Sequence, residues 1–313
     1  MRPLIYLASG SLLLAALLTS LKLGCEHWAA PRSSGIQGAL AASPVDVLLI
    51  GSSHTRQSYD LRALESGAHV SAFAVAYNAL DYRGMAVLVP ALLERPERRP
   101  RILVIEGYGM SLVRTGGLQD SRLFFDAPPR LKLTLMAQYL DGAPSARKYF
   151  DLFDLAVNRD NELLLLHPVH SRLTERISYR GGYADKVVAG LRDFAGLRLD
   201  LPRGAADPRQ VAALRELIAF TRRQGVRVIC CESPMPGPVE RQEVVRGLKD
   251  ELTGLMQEEH VPYYDGAVDF PIEDPRYFAD SNHLSTAGRA LYTERVARFI
   301  RATQAGRETA LNP

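Results

Sequence analysis

Val45-Asp46-Val47-Leu48-Leu49-Ile50-Gly51-Ser52-Ser53-His54 is an apolar run that stops at a glycine bearing two serines. It reads as a buried strand ending in a turn. Four further apolar runs read as strands: 69–75, 101–106, 226–231 and 261–264. Helical spacing occupies 60–66, 82–93, 207–224 (closed by Gly225 as a left-handed cap), 239–259 and 285–302. Continuous apolar strands alternating with helices imply an α/β fold whose parallel sheet, of about five strands, is covered on both faces. Ligands of such sheets gather at the carboxyl ends of the strands. The serines after the first strand should therefore meet whatever follows the fifth.

That second segment is Phe278-Ala279-Asp280-Ser281-Asn282-His283-Leu284, just before the last helix. The two segments together supply a hydroxyl nucleophile, a base to deprotonate it and a carboxylate to orient the base. Ser53 is the candidate nucleophile, near free backbone N–H groups able to hold an oxyanion, and Ser52 is its competitor. His283 is the candidate base and Asp280 its partner, although Asp280 or Ser285 could equally cap the last helix. His54 reads either as a pocket wall or as a solvent-facing turn residue. Glu106, ending the third strand, is expected in the pocket floor, where a buried carboxylate needs a partner such as Arg56 or Arg83.

The chain has 313 residues, enough for one large domain or two small ones with a real core, and a net charge of +3, too small to argue for nucleic acid. The arginines of 95–101 are interrupted by Glu97 and read as a solvated loop. Three cysteines make no disulfide framework; Cys230 and Cys231 are adjacent and should point to opposite faces of a strand. No metal is expected, because His167 and His170 lack a third ligand at convincing spacing, and no cofactor is expected.

Residues 4–21 are uncharged and largely apolar, long enough to cross a bilayer as a helix, with Arg2 before them. A cleaved signal peptide is the alternative, but the nearest small-x-small site, Ala39-Leu40-Ala41, lies far downstream. The expected organisation is a membrane anchor over 1–25, a tether over 26–44, and a domain over 45–313 carrying an insertion at about 110–204. The insertion holds Phe124-Phe125, Tyr149-Phe150, His167-Pro168-Val169-His170 and Arg180-Gly181-Gly182-Tyr183. It is expected to shape substrate access.

Gly51-Ser52-Ser53-His54 after a first strand, with Asp280-x-x-His283-Leu284 before a C-terminal helix, resembles the SGNH (GDSL-type) hydrolase superfamily. The resemblance covers about 45–303 apart from the insertion, and its most specific part is 278–293. It implies a flavodoxin-like three-layer sandwich, with Ser53 as nucleophile, Asp280 as acid and His283 as base. The chain departs from the family in three places. Ser52 stands where the family has Asp, Tyr77-Asn78-Ala79 stands where it has an oxyanion-hole glycine, and Glu106-Gly107-Tyr108-Gly109 replaces Gly-x-Asn-Asp. The oxyanion hole would then come from the Ser53 N–H with Asn78 or a nearby backbone N–H, Gly51 making the turn.

In layout the chain resembles divergent members such as the membrane-anchored D-alanyl transfer proteins of teichoic acid synthesis. This resemblance implies an envelope serine esterase or O-acyltransferase outside the cytoplasmic membrane, acting on acyl esters or glycan beside a membrane-bound O-acyltransferase. The alternative is a non-catalytic protein of the same fold that binds glycan or a membrane partner.

Overall fold

The computed structural model describes residues 34–113, 178–183, 186–199 and 206–306, with scattered positions elsewhere. The described residues include seven strands and eight α-helices. They are α1 (Gly35–Ala41), β1 (Val47–Gly51), α2 (Ser53–Ser58), α3 (Leu61–Ala68), β2 (Ala72–Ala76), α4 (Tyr82–Leu92), β3 (Ile102–Glu106), β4 (Ser178–Tyr179), β5 (Gly182–Tyr183), α5 (Pro208–Arg223), β6 (Arg227–Glu232), α6 (Gly237–Glu240), α7 (Glu243–Glu258), β7 (Tyr263–Asp265) and α8 (Thr286–Gln304).

Five strands form one sheet in the order β2-β1-β3-β6-β7, every pairing parallel. Counted along the main sheet this is 2-1-3-4-5, the flavodoxin-type order, with its switch point between β1 and β3. Alternation along each strand sorts the core into two layers. Leu48, Ile50, Leu103, Ile105 and Cys230 face α1, α4, α5 and α7. Val47, Leu49, Val104 and Cys231 face α3 and α8. The adjacent cysteines thus point to opposite faces, as a strand requires.

The helices begin and end where the sequence gives the chemistry for it. Asp207 accepts from the Arg209 N–H, Pro208 fills the first turn, and Gly225 follows α5 at φ 75. The Ser285 hydroxyl accepts from the Gly288 N–H and starts α8. Two expectations shift. The second strand begins at Ala72 rather than 69, because His69 stops α3 in the left-handed region at φ 56. The helix expected over 239–259 is split by extended backbone at Gln242 (ψ 130) into α6 and α7.

Part of the expected tether is structured. Its second half holds α1, whose Ile36 is fully buried, so the folded domain begins before residue 45. Within the expected insertion, β4 and β5 pair about Arg180-Gly181, with φ of 48 and 91. These positive angles are those of a two-residue hairpin turn. The hairpin covers the free edge of β2, where the Ala74 N–H donates to the Arg180 carbonyl at 2.8 Å. Residues 136–177, including His167 and His170, lie outside the described residues, as does most of the run 4–21. Among the described residues no helix is long and apolar enough to cross a membrane.

Candidate active site

β1 ends at Gly51, and Ser52, in extended conformation, turns the chain into α2. The Ser52 hydroxyl accepts from the His54 N–H, which leaves Ser53 as the first residue of the helix, above the strand end. On the far side of the site, Phe278 and Leu284 pair as an antiparallel bridge, and the Ala279 N–H donates to the His283 carbonyl at 2.8 Å. Asp280 closes this small loop: its Oδ1 accepts from the Asn282 and His283 N–H groups, both at 2.9 Å. Ser285, not Asp280, caps α8, so the Asp280 carboxylate is directed at the imidazole.

The two segments meet. Ser53 Oγ lies 2.8 Å from His283 Nε2, and His283 Nδ1 lies 2.9 Å from Asp280 Oδ2 and 3.1 Å from Oδ1. With the Nδ1 proton held by the carboxylate, Nε2 is left to accept from the Ser53 hydroxyl. Burial pushes the Asp280 carboxyl up, but the hydrogen bonds from the His283 ring and the two N–H groups outweigh it, and the net effect is downward. Asp280 therefore stays ionised.

Glu106 is buried, as expected of the floor, but its partners are not arginines. Its carboxylate accepts from the Ser52 N–H (2.7 Å), the Ser52 hydroxyl (2.6 Å), the Thr55 N–H (2.8 Å) and the Thr55 hydroxyl (2.6 Å). Arg56 instead reaches the Ala76 carbonyl, and the Arg83 N–H donates to Gln210. The physical reason is geometric. β3 pairs directly with β1, so Glu106 ends beneath the first turn of α2, where unpaired N–H groups are already aimed at it. Burial raises the Glu106 pKa, and those four hydrogen bonds oppose the rise. Thus Ser52 receives a carboxylate from the neighbouring strand. Gly51 makes this approach possible: a Cβ there would sit 2.0 Å from Thr55 Oγ1 and 2.3 Å from Glu106 Oε2.

His54 is a wall residue rather than a solvent-facing one. It is buried, and its ring lies 4.0 Å from that of Tyr108 and 5.0 Å from that of His283. Burial, then the nearby His283 charge, lowers its pKa to about 3, so it stays neutral. Tyr108 and Asn282 were not singled out by sequence reasoning. The Tyr108 hydroxyl is hydrogen-bonded to the Asn282 side chain, and burial raises its pKa. Their partnership spans more than half of the chain and leaves no local signal.

For an oxyanion, the Ser53 N–H has no acceptor among the described residues. The Asn78 N–H is committed to Asp120 at 2.7 Å and cannot serve. The Tyr77-Asn78-Ala79 loop is nonetheless at the right end of the sheet, because the Tyr77 N–H donates to the Gly51 carbonyl at 3.2 Å. Asn78 is exposed, so its side-chain amide and the Ala79 N–H are the remaining candidates in that loop. Among the described residues no group of His, Cys, Asp or Glu could hold a metal ion.

No family model matches the chain, and neither does any curated protein. Solved structures do. A putative acylhydrolase from Bacteroides fragilis is similar at 13% identity and a TM-score of 0.44, covering 88% of this chain and 98% of that one. An α/β hydrolase enzyme from the metagenome of Lake Arreo, Spain, is similar at 10% and 0.42, covering 86% and 98%. An acetylxylan esterase from Geobacillus stearothermophilus is similar at 14% and 0.41, covering 83% and 95%.

Proposed function

We propose that this chain is a serine ester hydrolase or O-acyltransferase of the SGNH type, working through an acyl-enzyme. One observation carries the reading: the continuous chain Ser53 Oγ–His283 Nε2 (2.8 Å), His283 Nδ1–Asp280 Oδ2 (2.9 Å), set at the carboxyl end of a parallel sheet. A non-catalytic binding protein has no need of a hydroxyl held on an oriented imidazole.

In the first step Ser53 Oγ attacks the ester carbonyl carbon and its proton passes to His283 Nε2, with Asp280 stabilising the imidazolium. The Ser53 N–H holds the oxyanion. The tetrahedral adduct expels the alcohol, which takes the proton from His283. Water or a sugar hydroxyl then gives its proton to His283, attacks the acyl-Ser53 ester, and the returning proton restores the serine. Hydrolysis and transfer share every step but the last acceptor.

The location is part of the proposal. Residues 4–21 anchor the chain in the cytoplasmic membrane with its domain on the outer side, and the substrate is an O-acylated envelope or extracellular glycan, served together with a membrane-bound O-acyltransferase. The test is incubation of the chain with p-nitrophenyl acetate, followed by peptide mass analysis. The wild type should release nitrophenol and carry acetyl on the Ser53 peptide, and Ser53→Ala should do neither. A folded wild type that does neither would leave the binding-protein reading in its place.

A further inference from the structure

All five strands point their carboxyl ends at the site, so the direction of any other element can be judged against them. α1 runs the opposite way. At its start the Ile36 N–H donates to the Tyr77 hydroxyl at 2.8 Å, and Tyr77 directly follows the last residue of β2. At its end Arg98, in the turn that leads into β3, reaches the Leu40 and Ala42 carbonyls. The Asp46 N–H is bound to Ser71, just before β2 begins. The chain therefore descends from the catalytic end to the opposite end before entering β1. Ser34, the first residue of this described stretch, therefore lies toward the catalytic end of the sheet.

The uncharged run ends at residue 21, so only residues 22–34 separate it from the domain. That stretch spans at most ~45 Å even fully extended. A compact domain of this size is itself roughly 45 Å across. Facing the site away from the bilayer would require the whole stretch to be drawn out along the flank of the domain. A second feature agrees. Val187 and Val268 are exposed at 83% and 52%. Both lie at the catalytic end, Val268 three residues past β7 and Val187 beside the first turn of α8.

We infer that the catalytic end of the sheet faces the bilayer, and that the ester or acceptor hydroxyl worked on by Ser53 is carried by a molecule embedded in that membrane rather than by free polymer. This rests on the anchor reading of residues 4–21. The test uses the full chain with Cys25→Ser, carrying a donor dye on Val268→Cys or on Glu97→Cys, which is exposed at the opposite end. It is reconstituted in phosphatidylethanolamine–phosphatidylglycerol vesicles bearing acceptor-labelled headgroups. Flotation comes first: a chain that stays in the aqueous fraction overturns the anchor and this inference with it. If the chain floats, energy transfer from position 268 should exceed that from position 97 at least two-fold. Equal or reversed transfer in floating chains overturns the orientation and leaves the anchor standing.

Discussion

Glu106→Ala removes the one acceptor that both the Ser52 and Thr55 N–H groups use, on either side of Ser53. Glu106 is buried, so neither N–H gains water in exchange. Each orphaned buried donor costs about 1–3 kcal/mol, giving about 2–6 kcal/mol in all. The lower half of that range is expected, because burial raises the carboxyl's pKa and its removal returns part of that cost. The first turn of α2 also loses its pin, and a displacement of ~1 Å at Ser53 Oγ would lower kcat about 10²-fold. Glu106→Gln is the control. Its amide oxygen can keep the three donors now on Oε2, while the Ser52 hydroxyl turns to accept from the NH₂ group. Its stability loss should stay below about 1.5 kcal/mol. The assays are guanidinium unfolding at pH 7 and p-nitrophenyl acetate turnover. An alanine variant within about 0.5 kcal/mol of wild type, the range of an ordinary surface change, with unchanged kcat, would refute the pinning role.

Three further outcomes are expected. Gly51→Ala should destabilise by at least about 1–3 kcal/mol in denaturant, because its Cβ overlaps Thr55 Oγ1 and Glu106 Oε2. Asp280→Asn keeps an oxygen for the two N–H groups but loses the charge, so kcat should fall at least ~10²-fold with little change in KM. Glu232 sits buried at the end of β6, and burial pushes its carboxyl up to about 8 against the pull of Lys249 and Tyr263. Its folded pKa exceeds the unfolded one, so the folded state holds its proton longer and stability falls as pH rises through the interval between them. Glu232→Gln should therefore match wild type near pH 4 and gain on it progressively toward pH 8, read by unfolding at each pH; a constant difference across the range would exclude the linkage.

The sheet was legible because its strands are short, apolar except for charged residues at their ends, and separated by helices with plain start and stop chemistry. Ser53, Asp280 and His283 could be placed together because the segment after the first strand and the segment before the last helix both lie at the carboxyl end of the sheet. The partner of Glu106 was not, because charge matching suggests arginines while the real donors are the N–H groups and hydroxyls of a helix start brought near by β1–β3 pairing. His54 stayed ambiguous for a related reason: only the approach of Tyr108 and His283 decides which side it faces. α1 was missed because seven residues rich in glycine and alanine carry little periodicity, and Ile36 alone marks its buried face. Gly181 with Gly182 did carry a turn signal, but the edge strand that the hairpin covers is distant in sequence.

The most direct test of the central claim is labelling of the purified full chain by a fluorophosphonate probe, alongside Ser53→Ala and His283→Ala. The account predicts one labelled site, at Ser53, absent in both variants while their folding is unchanged. A folded wild type that takes no label, or a Ser53→Ala variant that still does, would contradict it.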